Sequence, residues 1–126
     1  MEIKYLGTSA AEGWPAMFCK CDNCMRAAAA GGRNLRTRSQ TLIDNRILID
    51  FPPDTCCHVI FGGLRLSEIT VCLITHNHSD HLYVKDIGMI RKGFAFPDIR
   101  ECLTFYGTAA SGREIENEIA DIGADI

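Results

Sequence analysis

The sequence predicts a mixed α/β domain built in layers, and three observations support this fold class. Short runs with the alternating or fully apolar character of strands are interspersed with segments of helical periodicity. Two of these strands flank Asp44-Asn45, a dipeptide typical of tight hairpin turns. At 126 residues, 47% of them hydrophobic, the chain is long enough for one core and too short for two. We therefore expect a single domain over residues 1–126.

Five segments have the character of strands. Residues 3–6 alternate between apolar and polar side chains and form the first. Residues 39–43 and 46–50 are the two arms of the predicted hairpin. Residues 71–75 are apolar on both faces, which suits a central strand covered on both sides. Residues 103–106 form the last predicted strand.

Helical segments lie between and after these strands. The predicted helices cover residues 22–30, 55–61 and 83–92 and a final segment near the end of the chain. Asp22 is expected to cap the first of them. In the final helix Ser111 and Glu114 have the spacing of a capping box. One face of that helix is lined at helical period by Ile115, Ile119 and Ile122.

Composition narrows the function classes. The mildly acidic net charge of −3 gives no reason to expect a nucleic-acid partner, and the short basic stretch at residues 33–38 favours a solvated loop, with contact to a substrate phosphate as the alternative. The first residues lack the apolar centre of a signal peptide, and no uncharged apolar run approaches the ~18 residues of a membrane span. We therefore expect a cytoplasmic protein without a membrane partner. Seven cysteines, an odd number, argue against a disulfide framework there, so clustered cysteines favour metal binding.

The candidate site lies in residues 75–81, Thr-His-Asn-His-Ser-Asp-His, which hold three of the four histidines. This segment follows the predicted buried strand, where side chains leave the sheet and can converge. His76 and His78 are two residues apart, so an extended backbone directs both to the same side. Asp80 and His81 follow at a turn and can face a second point nearby. We identify these four residues as metal ligands, with Asp80 also the candidate catalytic residue.

Imidazole and carboxylate ligands suit zinc, and also iron or manganese. A catalytic zinc takes about three protein ligands and keeps one position open, so four ligands in one loop exceed what one ion needs from one segment. They are typical of the first halves of two adjacent sites. Two divalent ions about 3.5–4 Å apart can share a hydroxide, lower its pKa and stabilise both oxygens of a displacement. The alternatives are a histidine-rich surface loop and one adventitious site.

The motif His76-x-His78-x-Asp80-His81 resembles the hallmark of the metallo-β-lactamase superfamily. The likeness covers roughly residues 2–96 and includes residues 6–15, the cluster Cys19-x-Cys21-x-x-Cys24, and residues 48–50. These occur in the same order in the branch that contains the phosphodiesterase accessory to carbon–phosphorus lyase. A relative in pyrroloquinoline quinone biosynthesis shares the cysteine cluster but typically has a degraded histidine motif. The intact motif therefore favours the phosphodiesterase-like side.

One position departs from the superfamily pattern. Val84 stands where many members have a glycine, three residues after the last histidine of the motif. This changes the start of the following helix and leaves the ligands unaltered.

The resemblance implies a role for each site residue. His76 and His78 would bind one metal, and Asp80 and His81 the other. Asp50 would accept the second ring N–H of a ligand histidine, and a simple turn residue is the alternative. The implied activity is hydrolysis by a metal-bound hydroxide, with a phosphodiester as the favoured small-molecule substrate.

The three cysteines of the second candidate site fall in a segment of six residues: Cys19, Cys21 and Cys24. Their spacing resembles half of a structural zinc site, which requires four ligands. In the resembled branch the fourth ligand is a histidine late in the chain, and no histidine follows His81 here. A redox pair and three unrelated thiols are the alternatives. The remaining cysteines are expected to be small buried hydrophobes: Cys56, Cys57, Cys72 and Cys102.

A complete fold of this superfamily is a four-layer αββα sandwich of two similar halves, roughly 200–250 residues as one domain. We expect this chain to be the N-terminal half and therefore a partial domain. Each expected metal lacks its third histidine, so the chain alone is expected to be incompetent as a hydrolase. A truncated sequence or a split gene would account for this. The expected partner is the missing C-terminal half, with self-association as the substitute.

Two further function classes stay open. One keeps the fold but uses iron for redox or sulfur chemistry instead of hydrolysis. The other is a non-catalytic half-domain that binds metal or a partner.

Overall fold

Within residues 1–91, 93–95 and 103–122, which the computed structural model describes, five strands form one mixed sheet in chain order. The strands are β1 (Ile3–Gly7), β2 (Gln40–Ile43), β3 (Ile47–Ile49), β4 (Val71–Leu73) and β5 (Thr104–Tyr106). The α-helices are α1 (Asp22–Ala30), α2 (Thr55–Ile60), α3 (Val84–Ile87) and α4 (Ala109–Asp121). The mixed α/β class predicted from the sequence is confirmed.

The sheet combines an antiparallel and a parallel part. β1, β2 and β3 form an antiparallel meander, and β3, β4 and β5 run parallel. In the turn between β2 and β3, Asp44 and Asn45 have φ values of 48° and 55°. The Arg46 N–H donates to Ile43 O at 3.0 Å, and a turn with two left-handed central residues matches the natural twist of the two strands. The hairpin predicted at this dipeptide is confirmed.

The carboxyl ends of the three parallel strands meet at one edge of the sheet, the edge at which open α/β sheets bind ligands. Asp50 follows β3 directly, and residues 74–81 follow β4. Backbone pairing continues past the strand ends. The Asp50 N–H donates to Leu73 O at 2.8 Å, and the Ile74 N–H donates to Tyr106 O at 2.7 Å. This edge therefore places Asp50 beside the histidine-rich loop.

The two faces of the sheet differ in their covering. On one face a row of side chains joins a core with Ile87 of α3 and Ile115 of α4. This row is Leu42, Leu48, Cys72 and Phe105. The other face, called here the open face, carries the row Tyr5, Thr41, Ile49, Leu73 and Tyr106. Because Leu73 is 38% exposed and Tyr106 is 58% exposed, the prediction that strand 71–75 is covered on both sides is wrong for the described residues.

The early helices follow the prediction with two differences. α1 has the predicted bounds, but Cys21 occupies the cap position and Asp22 lies in the first turn. The segment predicted as helical over residues 83–92 contains only the four residues of α3, followed by a 3-10 turn at Gly88–Ile90. Gly88 is a poor helix former and ends the α-helix. Position 92 lies outside the described residues.

The final helix begins earlier than its sequence pattern predicts. Thr108 is the cap of α4, and its hydroxyl oxygen accepts the Ser111 N–H at 3.2 Å. Ser111 is fully buried in the first turn, so the predicted capping box at Ser111 and Glu114 is wrong. None of the helices in the described ranges has both the length and the apolarity to cross a membrane.

The α2 helix determines which cysteines are buried. Thr55 and His58 face the core and are only 2% and 4% exposed. Because these two residues are three apart and share one helix face, Cys56 and Cys57 face outward and are exposed. The prediction that both are buried hydrophobes is therefore wrong.

The prediction of a small buried hydrophobe is confirmed for Cys72. Its side chain is fully buried in β4, and burial raises the pKa of its thiol to about 12. A thiol with so high a pKa stays protonated at neutral pH and is chemically inert. Cys102 lies outside the described residues.

Candidate metal centre

The histidine-rich loop, residues 74–81, is attached to the sheet edge at both ends. At its start the Ile74 N–H bonds to β5, as described above. At its end the Phe51 N–H donates to His81 O, and Phe51 O accepts the Tyr83 N–H, both at 2.7 Å. Inside the loop, His78 O accepts the His81 N–H at 2.8 Å, which closes a turn. The site residues therefore lie on a backbone that is fixed by hydrogen bonds.

Asp50 is the buried centre of this arrangement, at 3% exposure. Its Oδ1 accepts two hydrogen bonds from Thr75, one from the backbone N–H and one from the hydroxyl, both at 2.8 Å. Its Oδ2 lies 2.7 Å from His81 Nδ1. The backbone of Asp50 is left-handed, with a φ of 64°, a conformation that costs an aspartate about 1–3 kcal/mol. The surrounding hydrogen bonds offset this cost.

The contact with Asp50 determines which nitrogen of His81 is free. A carboxylate only accepts hydrogen bonds, so His81 Nδ1 must carry the proton that it donates to Asp50. In the neutral imidazole Nε2 then keeps its lone pair. That nitrogen lies 3.4 Å from Asp80 Oδ2. His81 therefore presents a nitrogen with a free lone pair beside a carboxylate oxygen.

The same reasoning extends to His76 through Thr75. The single hydroxyl proton of Thr75 is donated to Asp50, so Thr75 Oγ1 can only accept from His76 Nδ1, which lies 3.1 Å away. His76 thus carries its proton on Nδ1 and leaves Nε2 free. One carboxylate, that of Asp50, fixes two imidazoles in the same form, one directly and one through a hydroxyl.

The structure brings the four predicted ligands into one cluster. The ring centre of His76 lies 4.7 Å from that of His78 and 4.1 Å from that of His81. The four ligand atoms do not converge on a single point. Among the described residues, the cysteine trio is the one group of three or more whose ligand atoms all lie within 4.8 Å of one another.

Helix α4 supports the loop from the other side. The Asn77 side-chain N–H donates to Glu114 Oε1 at 2.6 Å. Asn77 stands between His76 and His78, so this bond ties the first ligand pair to the helix. The glutamate that the sequence pattern assigned to a helix cap instead holds the loop.

The three cysteines of the predicted zinc cluster are also brought together. The Sγ atoms of Cys19, Cys21 and Cys24 lie within 4.8 Å of one another, with Cys24 buried and the others exposed. Hydrogen bonds from the Cys24 backbone and from the Cys19 and Cys24 side chains lower the pKa of Cys21 to about 7. A thiolate is the form that binds metal. The trio offers three ligands, one fewer than a structural zinc requires.

Sequence reasoning missed two residues that shape the site. Thr75 was given no role of its own, although it directly precedes His76 and its hydroxyl bonds to Asp50. Gln40, the polar first residue of β2, is fully buried. A buried carboxamide needs hydrogen-bond partners, and its position in β2 was the available signal.

The sequence matches no protein-family model and no curated protein. A new diphosphatase from the PhnP family is 24% identical with a TM-score of 0.71, over 95% of this chain and 46% of its own. Zn²⁺-bound PqqB from Methylobacterium extorquens is 24% identical with a TM-score of 0.72, over 100% of this chain and 44% of its own. The short form of human tRNase Z is 19% identical with a TM-score of 0.62, over 95% of this chain and 40% of its own.

These likenesses establish the fold. The chain has the metallo-β-lactamase fold, as the resemblance of its motif implied. It spans less than half the length of each of the three structures. The predicted fold class, half of an αββα sandwich, is therefore confirmed.

Nitrogen NMR of the histidine rings tests the assignment of the free nitrogens. In metal-free protein at about pH 8.5, above the ordinary pKa of imidazole, His76 and His81 are expected to carry their proton on Nδ1. Thr75→Val should release His76 from this form, because its acceptor is lost, and leave His81 in it. A parent protein in which His81 carries its proton on Nε2 would contradict the assignment.

Proposed function

We propose that this chain supplies half of the active site of a metal-dependent hydrolase whose favoured substrate is a small-molecule phosphodiester. The observation that carries the proposal is the approach of His81 Nε2 to Asp80 Oδ2 at 3.4 Å, with the other ring nitrogen held by Asp50. A ring nitrogen with a free lone pair and a carboxylate oxygen this close together can act as two ligands of one cation. With His76 and His78 alongside, the donor set favours a divalent metal.

Each of the four ligands has a place in this proposal. His76 and His78 hold one divalent ion, and Asp80 and His81 hold a second. Zinc fits this set of imidazole and carboxylate donors, and manganese and iron also accept it. Two ions bound there would generate a hydroxide nucleophile from water at neutral pH and stabilise charge on the phosphate. Asp80, the candidate catalytic residue, is the one negatively charged ligand of the loop.

The substrate class rests on the proteins that share the fold. Two of the three similar structures are a diphosphatase and a tRNase, and both names denote hydrolases of phosphate substrates. This chain has a net charge of −3, which does not favour a polyanion such as RNA. We therefore favour a small phosphodiester over a nucleic acid.

The open face of the sheet accounts for the proposed partner. Tyr5, Leu73 and Tyr106 leave much of their apolar surface in water, at 70%, 38% and 58% exposure. A contiguous apolar face of this kind is typical of an interaction surface. We assign it to the complementary half of the sandwich, which would also supply the remaining metal ligands. Without that half, self-association through the same face is expected.

Hydrolysis of bis(p-nitrophenyl) phosphate with Mn²⁺ or Zn²⁺ tests this proposal. It compares these 126 residues with a chain extended by the natural downstream sequence. Only the extended chain is expected to turn over substrate, because two ions need about six protein ligands and the loop supplies four. In the extended chain Asp80→Asn should lower kcat by more than about 100-fold, since even outer-shell partners are worth about 10–100-fold. Asp121→Asn, on the exposed end of α4, is the matched control and should have no effect.

Two results would contradict separate parts of the proposal. If the 126 residues match the rate of the extended chain and His76→Ala abolishes that turnover, the claim that this chain supplies only half of the active site is wrong. If the extended chain binds two metals and hydrolyses no phosphodiester, the proposed phosphodiester hydrolysis is wrong. That outcome would favour iron-based redox or sulfur chemistry on this fold.

A structural zinc bound by Cys19, Cys21 and Cys24 is a second part of the proposal. The support is the mutual distance of their Sγ atoms and the lowered pKa of Cys21. A residue beyond this trio must provide the fourth ligand. Free thiols of this kind persist in a reducing compartment, so we assign the protein to the cytoplasm.

The zinc content of protein purified without added metal tests this assignment. About one zinc per chain is expected from a closed structural site, and it should disappear when Cys21 and Cys24 become Ser. Cys56→Ser is the matched control, because Cys56 is exposed and lies outside the trio. The absence of zinc, together with a Cys19–Cys21 or Cys21–Cys24 disulfide in mass spectra, would favour a redox pair instead.

A further inference from the structure

A buried polar cluster contacts the backbone carbonyl of Asp50. Gln40, Thr55 and His58 are 0%, 2% and 4% exposed. The Gln40 side-chain nitrogen lies 2.9 Å from both Asp50 O and Thr55 Oγ1. His58 Nδ1 lies 2.5 Å from Gln40 Oε1. Nothing in the proposed hydrolysis uses this cluster directly.

The direction of each hydrogen bond in the cluster is determined. Thr55 donates its hydroxyl proton to Pro52 O at 2.6 Å, so its oxygen accepts from Gln40. Both N–H donors of the Gln40 amide therefore point at oxygens. A reversed amide would place Oε1 against two acceptors and is excluded. Gln40 Oε1 must then accept from His58 Nδ1.

His58 completes the cluster as a neutral ring. Its Nε2 lies 2.7 Å from Thr37 Oγ1, and the single hydroxyl proton of Thr37 can go to this nitrogen or to Leu6 O, which is farther away at 3.4 Å. Burial lowers the pKa of His58, and the nearby Asp54 carboxylate opposes this only in part. A neutral histidine with its proton on Nδ1 fits both neighbours. His58 is thereby a core histidine that fixes the Gln40 amide, and not a metal ligand.

The cluster reaches Asp50, the residue that fixes the ring protons of His76 and His81. Every polar atom of Asp50 has a partner. Its N–H bonds to Leu73, its carboxylate bonds to Thr75 and His81, and its carbonyl oxygen bonds to Gln40. Since the left-handed backbone of Asp50 is unfavourable by itself, these bonds must hold it. Loss of the Gln40 bond would leave a buried carbonyl without a donor, and Asp50 could relax and turn its carboxylate away from His81.

We propose that Gln40, fixed in orientation by His58 and Thr55, is a positioning residue for the metal centre. It holds the Asp50 backbone in the conformation from which the carboxylate orients His81 directly and His76 through Thr75. The part of this inference that concerns metal affinity rests on the proposed function. The part that concerns the protonation of His81 does not.

Two measurements on Gln40→Met test the proposal. The first is nitrogen NMR of His81 in metal-free protein, where the share of rings protonated on Nδ1 should fall from nearly all to a mixture. The second is Mn²⁺ binding followed by the EPR signal of the free ion, which should weaken about tenfold, as for loss of an outer-shell partner. Mn²⁺ is the probe because thiolates such as those of the cysteine trio bind it poorly.

A matched control separates positioning from ordinary stabilisation. Leu42, two residues along β2, is 4% exposed and lies outside the polar cluster. Leu42→Ala should lower the unfolding midpoint but leave the His81 proton position and the Mn²⁺ affinity of the folded protein as in the parent. His58→Leu keeps the Gln40 amide but removes the donor that fixes it, and should change both readouts in the same direction by a smaller amount. If Gln40→Met does not fold, His58→Leu decides whether Gln40 is a positioning residue.

The outcomes that overturn the proposal are distinct from failure of the proposed function. The positioning role is wrong if Gln40→Met and His58→Leu both keep the parent His81 signal, or if Leu42→Ala alters it as much as they do. If the parent protein binds no Mn²⁺, the proposed metal centre is wrong. The NMR comparison still decides the role of Gln40 in that case.

Discussion

The carboxylate of Asp50 is the interaction on which the candidate site depends. It is buried where three parallel strands end, and its two oxygens accept from Thr75 and His81. A buried charge of this kind is tolerated only when its acceptors are satisfied. The hydrogen bonds that satisfy it also place the ring proton of two imidazoles on Nδ1, so their Nε2 atoms keep the lone pair that the proposed metal centre needs. The geometry of the loop therefore follows from the need to provide hydrogen-bond donors to one buried carboxylate.

The surrounding structure restricts the loop from three sides. The sheet edge holds its two ends through β5 and Phe51, and α4 holds its middle through Asn77 and Glu114. At Asp50, the side-chain N–H of Gln40 donates to the backbone carbonyl. Ligands attached to a backbone restrained in this way lose little freedom when an ion binds, which favours binding. The open face of the same sheet stays partly exposed. It therefore leaves room for the proposed second layer, which would complete the metal coordination.

Local signals explain which features were predictable from the sequence. Asp44-Asn45 specifies its turn because both residues tolerate left-handed backbone, and the spacing of His76, His78, Asp80 and His81 is a short-range pattern. The fold class followed from the same kind of periodicity and from the resemblance of the motif. The four site residues and Asp50 were therefore named from the sequence, and the structure places them together at one sheet edge.

The features that were missed depend on contacts distant along the chain. Cys56 and Cys57 are exposed because Thr55 and His58 face the core, and the sequence does not show which side of a short helix is buried. Glu114 bonds to Asn77, 37 residues away, instead of closing a local cap. The Gln40–His58 pair joins residues 18 apart on different elements. Such pairings become visible only once the strands and helices have been placed.

A crystal structure of this chain grown with excess Mn²⁺, with anomalous diffraction measured for the metal, tests the central claim most directly. The account predicts anomalous density about 2.0–2.2 Å from His81 Nε2 and from an oxygen of Asp80, with a second peak at the Nε2 atoms of His76 and His78. In that structure Asp50 Oδ2 should remain bonded to His81 Nδ1. Metal coordinated by His81 Nδ1, or a His81 ring turned so that Nε2 bonds to Asp50, would contradict it.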